Sequence, residues 1–226
     1  MKKFFKIIGI IIGSILALLI SIGIIVFGGS YLLDAKKEIE KPVYPADKIW
    51  TFSAEFYNTS SNLTRTDTVQ LKTSNQRFML TQNSITWILK SNDLILEETT
   101  GIIETENRLW IHPPRFNDYY DFTEYSAFPE IRQPISDTLA WEATILLGTF
   151  ANDKTGNKVT MNYSITKIDT LNISPMNRKI DILGEGKSGL GVYTCKMDFQ
   201  ENVGFTKLSY TKENKEQLIL KLLKIE

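Results

Sequence analysis

From Ile7 to Leu33 the chain runs 27 residues without a charged side chain, and Ile, Leu, Gly and Ser make up most of the run. A helix in a soluble core keeps one polar face, and this stretch has none. At ~1.5 Å rise per residue it makes about 40 Å of helix, enough to cross a ~30 Å hydrocarbon layer with some tilt. Lys2, Lys3 and Lys6 precede it, whereas in the exit flank Lys36, Lys37 and Lys41 are balanced by Asp34, Glu38 and Glu40. Basic residues on the leading side place the N-terminus in the cytoplasm and the remainder outside. The expected organisation is a cytoplasmic stub and transmembrane anchor over 1–33, a stalk with Pro42 and Pro45 over 34–47, and one extracytoplasmic domain, periplasmic or on the cell exterior, over 48–226. A cleavable signal is the competing reading, since Gly28-Gly29-Ser30 supplies small residues. The apolar run exceeds the ~7–15 residues such a signal needs. A lipid anchor would require a Cys just after the run, and the one Cys of the chain is Cys195.

Charge excludes further classes. The chain has 226 residues, with 26 Lys+Arg against 26 Asp+Glu. Outside the leading segment, 193 residues carry 23 basic and 26 acidic side chains, so no basic face for nucleic acid is expected. A single Cys excludes an internal disulfide. A domain of this length buries a substantial core.

Beyond the stalk the pattern alternates rather than following a helical period. Trp50, Phe52, Ala54 and Phe56 line one face of a strand. Val69–Thr73 and Arg77–Thr81 read as a hairpin about Ser74-Asn75-Gln76, and 85–90 and 94–98 as two more β-rich runs separated by Ser91-Asn92-Asp93. Leu139–Phe150, Val159–Ile168, Arg178–Leu183, Val192–Phe199 and Phe205–Thr211 continue the series. Tyr193, Cys195, Met197 and Phe199 share a face. The last run, Leu218–Ile225, fits a strand or a helix facing inward with Leu218, Ile219, Leu222 and Leu223; the β context favours a strand. The fold expected is mainly β: the N-terminal transmembrane helix, then one antiparallel meander of ten to twelve strands forming a curved sheet or incomplete barrel.

One segment breaks the alternation. Pro113, Pro114, Pro129 and Pro134 fall among Phe116, Tyr119, Tyr120, Phe122, Tyr125 and Phe128. Proline cannot donate to a sheet ladder, so this is not a central strand; long irregular connections serve function or cover a sheet. The candidate ligand- or partner-binding residues are Trp110, His112, Arg115, Tyr119, Tyr120, Phe122, Tyr125, Glu130 and Arg132, aromatic bodies with a few orienting charges. The plainer reading is that the aromatics plug an open side of the sheet, and the two are compatible.

Other motifs carry less. His112, the one His, lacks the partners of a zinc site, and no Asp-rich calcium loop occurs, so neither metal nor cofactor is expected. Gly184–Gly191 contains Gly-Lys-Ser, yet a phosphate loop needs a Gly where Asp181 stands; a glycine-rich hairpin turn fits better. Cys195, on the apolar side of its strand, reads as inert packing, and no Gly-x-Ser-x-Gly elbow occurs, so no enzyme is expected.

The series Leu109-Trp110-Ile111-His112-Pro113-Pro114-Arg115, Phe122-Thr123-Glu124, Phe128–Pro134 and Trp141, about 35 residues, resembles uncharacterised cell-envelope β-sheet proteins of Bacteroidota-type bacteria. The resemblance implies an envelope location and a β-rich ectodomain and attaches no activity. The expected function is a membrane-anchored, non-enzymatic envelope protein, held by 7–33, that binds a lipid, other amphiphile or extended apolar partner on a curved sheet. The alternative is a structural or assembly protein acting on an envelope partner through strand edges, or through the membrane helix with its Gly9/Gly13 pair.

Overall fold

The computed structural model describes Ser21, Ile39 and residues 41–79, 82–91, 94–146, 158–173 and 176–226. The predicted anchor over 7–33 lies outside the described residues. Among the described residues no helix is long and apolar enough to cross a membrane.

Among the described residues twelve strands form one sheet: β1 Ile49–Tyr57, β2 Leu63–Met79, β3 Gln82–Ser91, β4 Leu94–Thr105, β5 Arg108–Ile111, β6 Glu130–Arg132, β7 Ala140–Leu146, β8 Lys158–Ile173, β9 Met176–Ser188, β10 Gly191–Gln200, β11 Gly204–Thr211 and β12 Gln217–Ile225. Their order is β6-β5-β4-β3-β2-β1-β12-β11-β10-β9-β8-β7, with every neighbouring pair antiparallel. The chain thus lays down one flank outward from β1 to β6, and then returns from β7 to β12, which closes back on β1. The result is a curled half-barrel whose two edge strands, β6 and β7, are consecutive in sequence. Connectivity also sorts its two ends. At the entry end, where β1 begins, lie the β2–β3, β4–β5, β6–β7, β8–β9 and β10–β11 connections and the C-terminus of β12. The far end carries the others.

Period-two burial explains the strands. Trp50, Phe52, Ala54 and Phe56 are buried on β1, as are Val69 and Leu71 on β2, Ile85, Trp87 and Leu89 on β3, and Cys195, Met197 and Phe199 on β10. These side chains share the inner face, because successive strand residues point to opposite sides. The terminal run resolves as a strand. Leu218 and Leu220 are buried in alternation, and β1 and β11 satisfy its backbone on both sides. Leu223, which a helix would turn inward, is 61% exposed where the β1–β12 register shifts.

Two expectations are corrected. No turn forms at Ser74-Asn75-Gln76: β2 continues to Met79 with register shifts after Thr73 and after Arg77, and β3 starts at Gln82. The glycine-rich segment is not all turn either. Gly184 and Gly186 sit inside β9, opposite Cys195 and Tyr193, and the chain reverses only at Gly189-Leu190.

The segment read as a stalk is partly absorbed into the domain, since the compact unit begins at Ile39. The Glu104 carboxylate accepts hydrogen bonds from the Val43 and Tyr44 amides. The Tyr44 ring lies 4.6 Å from Trp50, and its hydroxyl accepts the Phe205 amide at 2.8 Å. This contact needs Gly204, whose φ is +95° and whose missing Cβ leaves room for the tyrosine hydroxyl. Tyr44→Phe removes that acceptor from a buried N–H. Thermal or urea unfolding should show a loss of about 1–3 kcal/mol; an unchanged midpoint would mean that the amide is otherwise satisfied.

Candidate functional site

The irregular segment 112–129 lies along the inner face of the half-barrel. Two prolines at its start remove donors from the ladder, so the chain leaves the sheet after β5. It then makes a 3-10 turn, Asn117–Tyr119, and one helical turn, α1, Tyr120–Thr123. The Thr123 hydroxyl binds the carbonyls of Pro114 and Tyr119 at 2.8 and 3.0 Å and fixes the corner. The segment returns through Phe128 to β6.

Contacts tie it to both flanks of the sheet. On the β3–β4 side the Trp87 indole donates to the His112 carbonyl at 2.8 Å, and the His112 amide donates to Gly101 O at 3.0 Å. Glu98 accepts from the Arg115 amide and Nε at 2.8 and 2.9 Å. Toward β1 and β2, Tyr119 and Phe122 meet Phe56 edge-on at 5.1 and 5.8 Å, and the Tyr119 hydroxyl binds Asp67 at 3.0 Å. Across the barrel, the Tyr163 hydroxyl of β8 donates to Phe128 O at 3.0 Å, and Tyr125 lies 5.8 Å from Tyr193 of β10.

Between these lies the closest approach. A Cβ on Gly186 would run into the Tyr125 carbonyl and the Ser126 backbone, and one on Gly184 would stand 2.5 Å from Ala127 Cβ. Backbone cannot retreat as a flexible side chain can. Two glycines spaced by two on the inner face therefore form a groove that seats the segment.

Of the nine candidate residues, His112, Arg115, Tyr119, Tyr120, Phe122 and Tyr125 belong to this plug; Trp110 lies on β5, and Glu130 and Arg132 lie on β6. Tyr119, Phe122, Tyr125 and Trp110 are buried, Tyr120 is half-buried and meets Tyr125 edge-on at 5.8 Å. The structure brings them together as the filling of the half-barrel, so the concavity expected to receive a ligand is occupied by the chain's own aromatics. Glu130 is fully buried. Arg108 holds both its oxygens at 3.0 and 3.1 Å, Arg132 Nε adds a bond at 2.8 Å, and Arg132 also reaches Glu142 O of β7 at 3.5 Å. The cluster therefore fastens β5 to β6 and spans to the opposite edge strand.

The titratable groups are committed to structure. His112 Nδ1 faces Pro113 O at 3.0 Å, and a carbonyl only accepts, so the neutral ring carries its proton there. Burial, reinforced by the Arg115 charge, pushes its pKa down to about 4. Burial raises the Glu124 carboxyl, which Arg115 partly offsets, and raises the Cys195 thiol, as inert packing requires. Among the described residues no three of His, Cys, Asp and Glu gather as metal ligands would.

Among the described residues, open clefts lie at both ends. At the entry end, about 240 Å³ is bounded by Ile39, Val43, Leu109, Ile131 and Phe199, with Lys41, Arg108 and Glu201 on its polar side. At the far end, about 330 Å³ lies beside Phe56 and Phe122, whose rings are capped by Arg65 at 3.8 Å and Lys212 at 4.2 Å. Sequence reasoning missed Glu98, Tyr163, Gly184 and Gly186 as partners of the plug, and Arg108 as the partner of Glu130. A signal existed for the glycines: Gly-x-Gly in an alternating run leaves one face bare.

The structure is similar to that of an inferred lipoprotein from Parabacteroides distasonis ATCC 8503, with a TM-score of 0.46 and 10% identity over 84% of this chain and 100% of that one. It is also similar to an inferred exported protein with a YmcC-like fold from Bacteroides fragilis NCTC 9343, with a TM-score of 0.40 and 8% identity over 80% of this chain and 96% of that one. Both come from the bacterial group to which the sequence resemblance pointed. No family model matches the chain, and neither does any curated protein.

Two outcomes test this geometry. Gly186→Ala should lower stability by about 1–3 kcal/mol through overpacking, read as a shifted denaturation midpoint; a neutral result would mean that the plug is not seated on β9. His112 should make the fold acid-sensitive. Its folded pKa lies below the unfolded value, so the unfolded state takes up the proton first as pH falls from about 6.5 to about 4. Over that window the protein should lose about 3 kcal/mol relative to His112→Asn, which keeps a donor for Pro113 O but does not titrate. Parallel stability curves for the two would contradict the buried neutral ring.

Proposed function

We propose that the chain is a membrane-anchored, non-enzymatic envelope protein, N-terminus inside and β domain outside, that binds an amphiphile or extended apolar partner at the entry end of its half-barrel. The anchor rests on the charge-free run of 27 residues and the lysines before it. The observation that carries the binding site is where accessible apolar surface remains. The inner face is filled by the plug, whereas Ile39, Val43 and Leu109 still border an open cleft beside Lys41 and Arg108. That cleft lies at the end where the chain arrives from the apolar run. Its volume is below the ~300–1,000 Å³ of sites that swallow a drug-sized ligand, so it accommodates part of a lipid and leaves the rest in the bilayer.

The non-enzymatic reading is supported by the use made of candidate groups: His112, Arg115, Glu130 and Arg132 are engaged in holding the plug and the edge strands. The alternative, assembly through strand edges, is weakened by how those edges are built. β6 spans only Glu130–Arg132, and past Ile165, where β8 runs beyond β7, that strand carries two register shifts against β9 and a Lys167–Asp169 ion pair at 2.6 Å. Short edges, bulges and charges discourage strand addition.

Native mass spectrometry of the full chain, extracted from membranes in mild detergent, tests the proposal. Bound lipid-sized mass is expected on the wild type and should fall severalfold in Ile39→Asp. A bare protein, or lipid retained equally by that variant, would contradict the site; a homo-oligomer without lipid would favour assembly.

A further inference from the structure

Several exposed apolar side chains at the entry end are used neither by the core nor by the cleft. Phe78 and Met79 end β2 at the β2–β3 tip, Leu171 lies near the β8–β9 tip, and Leu223 and Ile225 end β12; Met79 is 59% and Leu171 49% exposed. Single exposed apolar residues are common on any surface, and the far end has its own in Leu63, Ile95, Leu190 and Val192. What separates the two groups is the length of the leash.

The packed domain begins at Ile39 and the charge-free run ends at Leu33, so only residues 34–38 join them. At ~3.3–3.6 Å per residue, that link spans about 20 Å when fully stretched. β1 alone, nine residues long, extends about 30 Å at ~3.3 Å per residue. A domain whose packed chain starts at Ile39, on the entry-end cleft, and is held by such a link cannot turn over to lay its far end on the bilayer. Its entry end is confined to the bilayer's neighbourhood.

We propose that the entry end of the half-barrel is seated on the lipid surface, with Phe78 and Met79 of one hairpin tip and Leu171 of the other in the headgroup layer. This rests on the tether proposed above and adds an orientation to it. Two of the lysines near this end are engaged within the domain, Lys167 with Asp169, and Lys224 with Glu226 at 2.9 Å. The contact is driven by apolar burial, and the tether makes it intramolecular, at high effective concentration. The seating also opens the entry-end cleft toward lipid.

The test uses the full chain with Cys195→Ser, carrying one new cysteine at a time at position 79, 171, 95 or 190. Each is labelled with an environment-sensitive fluorophore and reconstituted into vesicles of phosphatidylethanolamine and phosphatidylglycerol. Labels at 79 and 171 should brighten severalfold, shift to the blue and be quenched by nitroxide-bearing lipid, while 95 and 190 stay as in water. If the protein survives an alkaline carbonate wash in the vesicles but 79 and 171 report water, the seating is wrong and the tether stands. If all four sites report lipid, the contact is not confined to one end and the proposal fails. If the wash strips the protein, the tether fails and the seating falls with it.

Discussion

The seat of the plug on β9 is the contact on which the rest of the domain depends. A curled sheet of twelve strands has an apolar inner face that a single layer cannot bury. The chain solves this with segment 112–129, and Gly184 and Gly186 set how close its backbone can come. Once that approach is fixed, Tyr119 and Phe122 reach Phe56, Tyr125 reaches Tyr193, and Phe128 accepts the Tyr163 hydroxyl. The inner face becomes a core. Open clefts are then left to the ends of the half-barrel, which is where the proposed ligand is to be sought.

Closure along the seam has a different origin. β6 and β7 do not pair as strands; their edges are related through the Arg108–Glu130–Arg132 cluster, with Arg132 reaching Glu142 O. A fully buried carboxylate is costly unless paired, and here two guanidiniums, each about a third exposed, keep contact with water while neutralising it. This arrangement holds the two flanks in register where no strand ladder could. The opposite end of the chain plays a similar part: Val43 and Tyr44, gripped by Glu104 and Phe205, join β4 to β11 at the entry end.

Much of the fold was legible because strand burial has a period of two. Trp50-Phe52-Ala54-Phe56 and Cys195-Met197-Phe199 declare their faces without any knowledge of partners, and the pairing of β12 follows from its context. The misplaced hairpin at Ser74-Asn75-Gln76 shows the weakness of composition: polar turn formers were accommodated by a shift of register inside a long strand. The candidate residues were legible as a group, since prolines among aromatics cannot be a central strand. Their role was less so. Whether an aromatic faces a ligand or the chain's own β9 depends on contacts between residues 57 to 61 positions apart, which local pattern does not encode. Glu130 read as an orienting charge because nothing nearby in sequence announced that Arg108 would hold it.

The account stands on the plug being part of the core rather than a lid. Hydrogen exchange of the full chain in lipid nanodiscs measures this most directly. Backbone amides of Tyr119 through Phe128 should exchange as slowly as those of β9 and β10, opening only with global unfolding. Rapid exchange in the plug beside protected strands would show a segment that lifts, and would return the inner face to the list of binding sites.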